Sequence, residues 1–180
     1  MLTITIPATE EFDEIKGEFV YTKEQTLQLE HSLISISKWE SKWCKAFLDK
    51  KDKTSEEIID YIKCMTLNKT VDEQVYNCLT QANLTAINEY ISAPMTATYF
   101  SANEQGKKNS EQITSELIYY WMIALQIPFE CQKWHINRLL TLIRVCNIKN
   151  TPPKKMSKRD IASRNAALNA ARRKQMNTKG

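Results

Sequence analysis

The chain has 180 residues, 42% of them hydrophobic and 26% charged, with a net charge of +4, enough for one compact core with appendages. No run approaches the roughly 20 consecutive apolar residues that span a bilayer. The stretch from Met1 to Glu11 lacks the basic-then-apolar order of a leader, so the sequence reads as soluble and intracellular.

Charge is unevenly placed. From Lys149 onward ten basic residues face a single acid, Asp160, a net +9 that leaves −5 on everything before it. A mildly acidic body joined to a basic arm is the first informative feature. Cys44, Cys64, Cys78, Cys131 and Cys146 are odd in number and scattered, with no C-x-x-C pair. That pattern reads as reduced, buried thiols and not a disulfide framework.

The N-terminus alternates: Leu2, Ile4 and Ile6 point one way and Thr3 and Thr5 the other, which predicts a half-buried strand ended by Pro7. Phe19-Val20-Tyr21 reads as a second strand and Thr26 to Leu29 as a third. Residues 1–30 are therefore expected to form a small antiparallel hairpin or sheet, packed on helices because it is marginal alone.

From residue 31 the period changes. Ile36, Trp39, Trp43, Ala46 and Phe47 recur at helical steps, with Ser32 or Ser35 as the start and the polar run 49–53 as the end. Thr54 to Glu57 has capping-box spacing, ahead of a helix with Ile58, Ile59, Ile62 and Met65 on one side. Thr70 to Glu73 repeats that signal before a short helix carrying Val71, Val75 and Leu79. Thr80 caps another, with Leu84, Ile87 and Ile91 inward. Residues 92–110 read as an exposed connector. The span from Ile113 to Leu125 is apolar around much of its circumference, which predicts a buried helix. Ile127-Pro128 breaks it, and a helix from Phe129 to about Cys146 follows, with Trp134, Leu139, Leu140, Ile143 and Cys146 on its buried face. The helical body is thus expected over 31–148. Pro152 and Pro153 separate it from the arm, 149–180, where Ser157 caps a helix from Lys158 to about Lys174. The fold class is mainly α, with the N-terminal strands and a basic helical arm.

The chemistry-bearing residues are sparse. His31 and His135 lie beside core positions and in no metalloenzyme spacing, and Cys131 with His135 makes only half of a zinc site. Gly17, Gly106 and Gly180 are the only glycines, so no phosphate loop of the usual form is present. Neither a metal nor a cofactor is expected, and the chain reads as a binding protein, not an enzyme. Its candidate contacts are Trp39 and Trp43, one turn apart among lysines, and the arm residues Lys158, Arg159, Arg164, Leu168, Arg172 and Arg173. The tryptophans also suit a core. The arm has no aromatics for base stacking, so nucleic acid is possible but not favoured.

Three stretches together resemble the tail assembly chaperones of tailed bacteriophages, encoded beside the tape-measure gene. They are Ser35 to Trp43, the helix pair from Trp121-Met122 through Trp134 to Cys146, and Ser163 to Arg173. The resemblance implies a non-enzymatic, helical protein of the host cytoplasm. It would hold the apolar tape-measure protein soluble while tail-tube proteins polymerise, and then leave. The basic ending leaves two alternatives open: a connector retained in the virion, with the arm as a tie between subunits or in a homo-oligomer, and a nucleic-acid-binding accessory protein. No membrane is implied.

Overall fold

A computed structural model describes residues 1–13, 18–100, 112–152 and 157–177. Contacts divide the chain into two units, Met1–Asn147 and Ile148–Gly180. The first is mainly helical, with antiparallel strands at its N-terminus.

Four strands open it: β1 (Leu2–Ile6), β2 (Thr9–Asp13), β3 (Glu18–Thr22) and β4 (Gln25–Leu29). β1 pairs with β4 and β2 with β3, both antiparallel. Partner numbers sum to 31 in both ladders, so the four strands keep one hairpin register, interrupted at Pro7-Ala8 and Lys23-Glu24. Pro7 has no N–H to give to a ladder. The β2 strand, Thr9–Asp13, was not expected from a segment so rich in acids; its pairing with the aromatic β3 supplies what local propensity does not. The alternation read in β1 holds: Ile4 and Ile6 are buried and Thr3 and Thr5 exposed. Ile4 and Ile6, with Leu27 and Leu29 from β4, enter the core shared with the helices.

Helix α1 (Leu33–Trp43) starts at Ser32, whose side chain accepts from the Ser35 N–H, with Ser35 completing a capping box. It ends sooner than expected. Cys44 turns left-handed at φ 51°, and the Glu40 carboxylate accepts the N–H of Phe47 at 2.8 Å. Ala46 and Phe47 therefore leave the helix, and Phe47 folds back to stack on Tyr61, ring centroids 3.9 Å apart. Helix α2 (Ser55–Met65) carries the expected capping box between Thr54 and Glu57. Its inward face differs: Glu57, Tyr61, Ile62 and Met65 are buried, and Ile58 is exposed. Tyr61 takes the inward place because it reaches the aromatic cluster and His31.

A 3-10 turn at Glu73–Cys78 is capped by Asp72, not Thr70. Thr80 caps α3 (Gln81–Ser92), where Ile87 and Tyr90 are buried and Leu84 and Ile91 half-buried. Of the connector expected at 92–110, the part beyond residue 100 lies outside the described residues. Within the rest, the Arg144 guanidinium sits 3.8 Å over the Phe100 ring.

Helix α4 (Ser115–Ala124) is not buried all round. Ser115, Ile118 and Met122 face the core, Trp121 is half-buried and Tyr120 and Ile123 are exposed. The helix expected from Phe129 is also split. A 3-10 turn covers Phe129–Lys133, and α5 (Ile136–Asn150) begins after His135. The break has tertiary causes: Ser32 bridges His135, and the Ile136 N–H donates to the His31 carbonyl at 2.7 Å. Cys131 thus lies in the 3-10 turn and His135 outside it, in the bridge before α5. Trp134, Leu140 and Cys146 are only half-buried, while Cys131, Ile136, Leu139 and Ile143 are buried. All five cysteines are free thiols, but only Cys131 is buried, against the expectation for the set.

The second unit, from Ile148, holds the last residues of α5 and then α6 (Lys158–Met176). Ser157 caps α6 as expected, accepting from the Asp160 N–H, and Asn177 closes it in the left-handed conformation. No residue of α6 is buried.

Candidate functional site

The first unit is held together by polar groups satisfied within it. Glu40 is buried near the end of α1, and its two carboxylate oxygens accept the N–H groups of Phe47 and of Ser115. Ser115 is the first residue of α4, so this carboxylate takes one of the donors that a helix start leaves without a partner. Glu57 accepts from the Thr54 N–H and from Lys45, and both contacts, the lysine first, hold its carboxyl below the usual range. Between these two acids opens a cleft of about 630 Å³, lined by Trp39, Cys44, Lys45, Lys53 and Glu116 among others. Glu40 and Glu57 are committed to backbone donors and to Lys45, and the remaining lining charges are of both signs.

Trp39, on the cleft lining, meets Phe47, which belongs to an aromatic and histidine cluster. His31 is hydrogen-bonded through Nδ1 to the Tyr61 hydroxyl, and its ring meets that of His135 edge-on at 5.0 Å. Burial, then the neighbouring His135, lowers the His31 pKa to about 3. His135 is satisfied as the neutral imidazole: Nε2 donates to the Tyr90 carbonyl at 3.0 Å, and Nδ1 accepts the Asn137 N–H at 3.3 Å. Burial lowers its pKa too, outweighing the Tyr90 carbonyl bond that favours the charged form. Tyr90 in turn donates to Glu30 at 2.7 Å, and the N-terminal ammonium pairs with Glu30 at 2.9 Å. These bonds tie the junction between β4 and α1 to α2, α3 and the start of α5, which is a structural role for both histidines. Among the described residues, no group of three or more His, Cys, Asp or Glu is placed to hold a metal ion, and no helix is long and apolar enough to cross a membrane.

The contact residues expected from sequence divide three ways. Trp39 does not present a surface. It is 1% exposed, packs edge-on against Phe47 at 5.2 Å, and donates its indole N–H to the Glu57 carbonyl at 2.9 Å. Placing Trp39 on a partner-binding stripe is therefore corrected: its position one turn before the α1 terminus turns it toward α2. Trp43, half-buried, stacks on Trp39 and donates to Asp60 at 2.9 Å. Lys42 and Lys45 each lie 5.8 Å from its ring. Burial opposes ionisation of Asp60, but hydrogen bonds from Lys42 and Trp43 outweigh it and hold the carboxyl below its ordinary value. The third set, Lys158, Arg159, Arg164, Leu168, Arg172 and Arg173, is exposed on α6 in the second unit.

One surface was not anticipated. Glu116, Tyr119, Tyr120 and Ile123 recur at three- and four-residue steps on α4, which places them on one face. Tyr120 is 64% exposed and Ile123 62%. Tyr119 is half-buried; its hydroxyl donates to Gln132 at 2.9 Å, and its ring meets Phe129 at 6.4 Å. Phe129, 52% exposed on the next turn, extends the apolar strip. The signal was present in the sequence as a helix apolar on more sides than one core contact uses. No family model, no curated protein and no solved structure matches this chain.

Proposed function

We propose that this protein is a non-enzymatic tail assembly chaperone that binds the tape-measure protein and keeps it soluble during tail assembly, with the α4 strip as its client contact. The observation that carries this reading is the strip itself. Tyr120, Ile123 and Phe129 are exposed on elements whose Ile118, Met122 and Cys131 are packed inside and whose Tyr119 and Trp121 are half-buried. Large aromatics held by a rigid helix give contact area at low entropy cost, and an exposed apolar strip is what an aggregation-prone apolar client needs. Tyr119 beside the strip is held by its bond to Gln132, which restrains that ring before a client arrives. The resemblance of Ser35 to Trp43, of the helix pair from Trp121 to Cys146 and of Ser163 to Arg173 to phage tail assembly chaperones motivates the same reading.

The test is co-expression with a tape-measure protein of a tailed bacteriophage. The wild-type chain is expected to move that protein into the soluble fraction. Tyr120→Ser with Ile123→Ser is expected to lose this effect while keeping the wild-type unfolding midpoint. Full client solubility with that variant would remove the strip from the mechanism.

The exposed basic α6 favours a second reading, a virion connector that keeps its arm between subunits. Quantitative mass spectrometry of finished particles decides between them. Abundance in lysate with absence from particles fits the chaperone, and a fixed copy number in particles replaces it with the connector.

A further inference from the structure

α6 has a chemistry of its own, independent of the α4 strip. Burial against neighbours stabilises most protein helices, yet none of the residues from Lys158 to Met176 is buried. The helix is held locally instead. Ser157 and Asp160 cap its start, Arg173 and Lys174 complement the dipole in its last turn, and five alanines favour the helical state.

Its side chains are ordered around one seam. Ile161, Arg164, Leu168, Ala171 and Gln175 recur at alternating steps of three and four, the spacing that one helix shows to another in a coiled coil. Ile161 is 44% exposed and Leu168 46%, and they are the two large apolar groups on that seam. Arg164 lies within it, and Arg172 and Lys174 adjoin it. Six basic residues against Asp160 give α6 a net +5. The seam therefore calls for a partner that is apolar along one line and acidic beside it.

A polyanion is a poorer match. The helix has no aromatic ring for base stacking. Its basic groups are spread around the circumference, so a flat polyanion meets only part of them and leaves Ile161 and Leu168 without use. We propose that α6 binds an acidic amphipathic helix of a partner protein. Ile161, Leu168 and Ala171 pack along the seam, Arg164 reaches from it to a carboxylate at its edge, and Arg172 and Lys174 meet carboxylates on its flanks.

Fluorescence anisotropy with the full chain tests this. The first probe is a labelled designed helix of about three heptads, with Leu at the seam positions and Glu beside them. The second is a DNA duplex of roughly 20 base pairs, whose binding weakens steeply with salt. The designed helix is expected to bind more tightly than the duplex. Ile161→Ser with Leu168→Ser is expected to weaken it about tenfold or more, as expected for loss of two apolar anchors. Arg164→Glu with Arg172→Glu, which keeps good helix formers, is expected to abolish it. Tighter binding of the duplex, unchanged by the serine pair, would make α6 a polyanion arm and overturn the proposal. So would failure of the designed helix to bind at all. Neither result bears on client solubility, so the chaperone reading stands or falls separately.

Discussion

Acidification should expose the cost of the buried His31. Folded, its pKa is lowered to about 3 by burial and by His135; unfolded, it titrates near 6.5. The unfolded chain therefore binds a proton between these values and the folded chain does not. Stability from this residue is complete above about pH 6.5 and is lost as pH falls toward 3. Going from pH 7 to 4.5 crosses about two units of that window, a loss of about 2.5 kcal/mol from this one group. The assay is urea unfolding followed by tryptophan fluorescence at both pH values. The comparison is a double variant, His31→Phe with Tyr61→Phe, which removes both hydrogen-bonding partners together and leaves neither unsatisfied. Carboxylates held low by their contacts, such as Glu57 and Asp60, lose stability with acid in both proteins and cancel. The double variant should lose about 2.5 kcal/mol less than the wild type over the same step. Equal losses would refute the claim that His31 stays neutral in the fold.

Three further outcomes follow from packing and hydrogen bonding. Trp39→Ala, at a fully buried indole with a hydrogen bond to Glu57, should cost about 3–5 kcal/mol in denaturant unfolding. Trp121→Ala, at a half-buried site, should cost less, and the reverse order would contradict the assignment of the core. Glu40→Ala should cost about 2–5 kcal/mol because it leaves the N–H groups of Phe47 and Ser115 without an acceptor, and Glu40→Gln should cost less. Removing residues 151–180 should leave the unfolding midpoint of the body unchanged, since α6 buries nothing. A shift of more than about 1 kcal/mol would show that the arm stabilises the body.

Local signals carried much of the fold. The capping residues Ser32, Thr54, Thr80 and Ser157 mark their helices because a hydroxyl and a backbone N–H a few residues apart need no tertiary partner. The alternation in Leu2 to Ile6 and the stop of α5 before Pro152 are equally local. Where the reading went wrong, the deciding contact lay far along the chain. The helix expected from Phe129 breaks because His135 and Ile136 are engaged by Tyr90, Ser32 and His31. Helix α1 stops early because Glu40 reaches both Phe47 and Ser115, 75 residues away from it in the second case.

The candidate site shows the same division. Composition and order alone placed a basic, helix-forming, thinly apolar arm at the C-terminus, because charge and capping are properties of the residues themselves. Which aromatic faces solvent is not such a property. Trp39 and Tyr120 both read as core by period, yet one is sealed beneath Phe47 and α2 and the other stands outside. Periodicity gives the faces of a helix, but only the packing of neighbouring elements decides which of two apolar faces is covered.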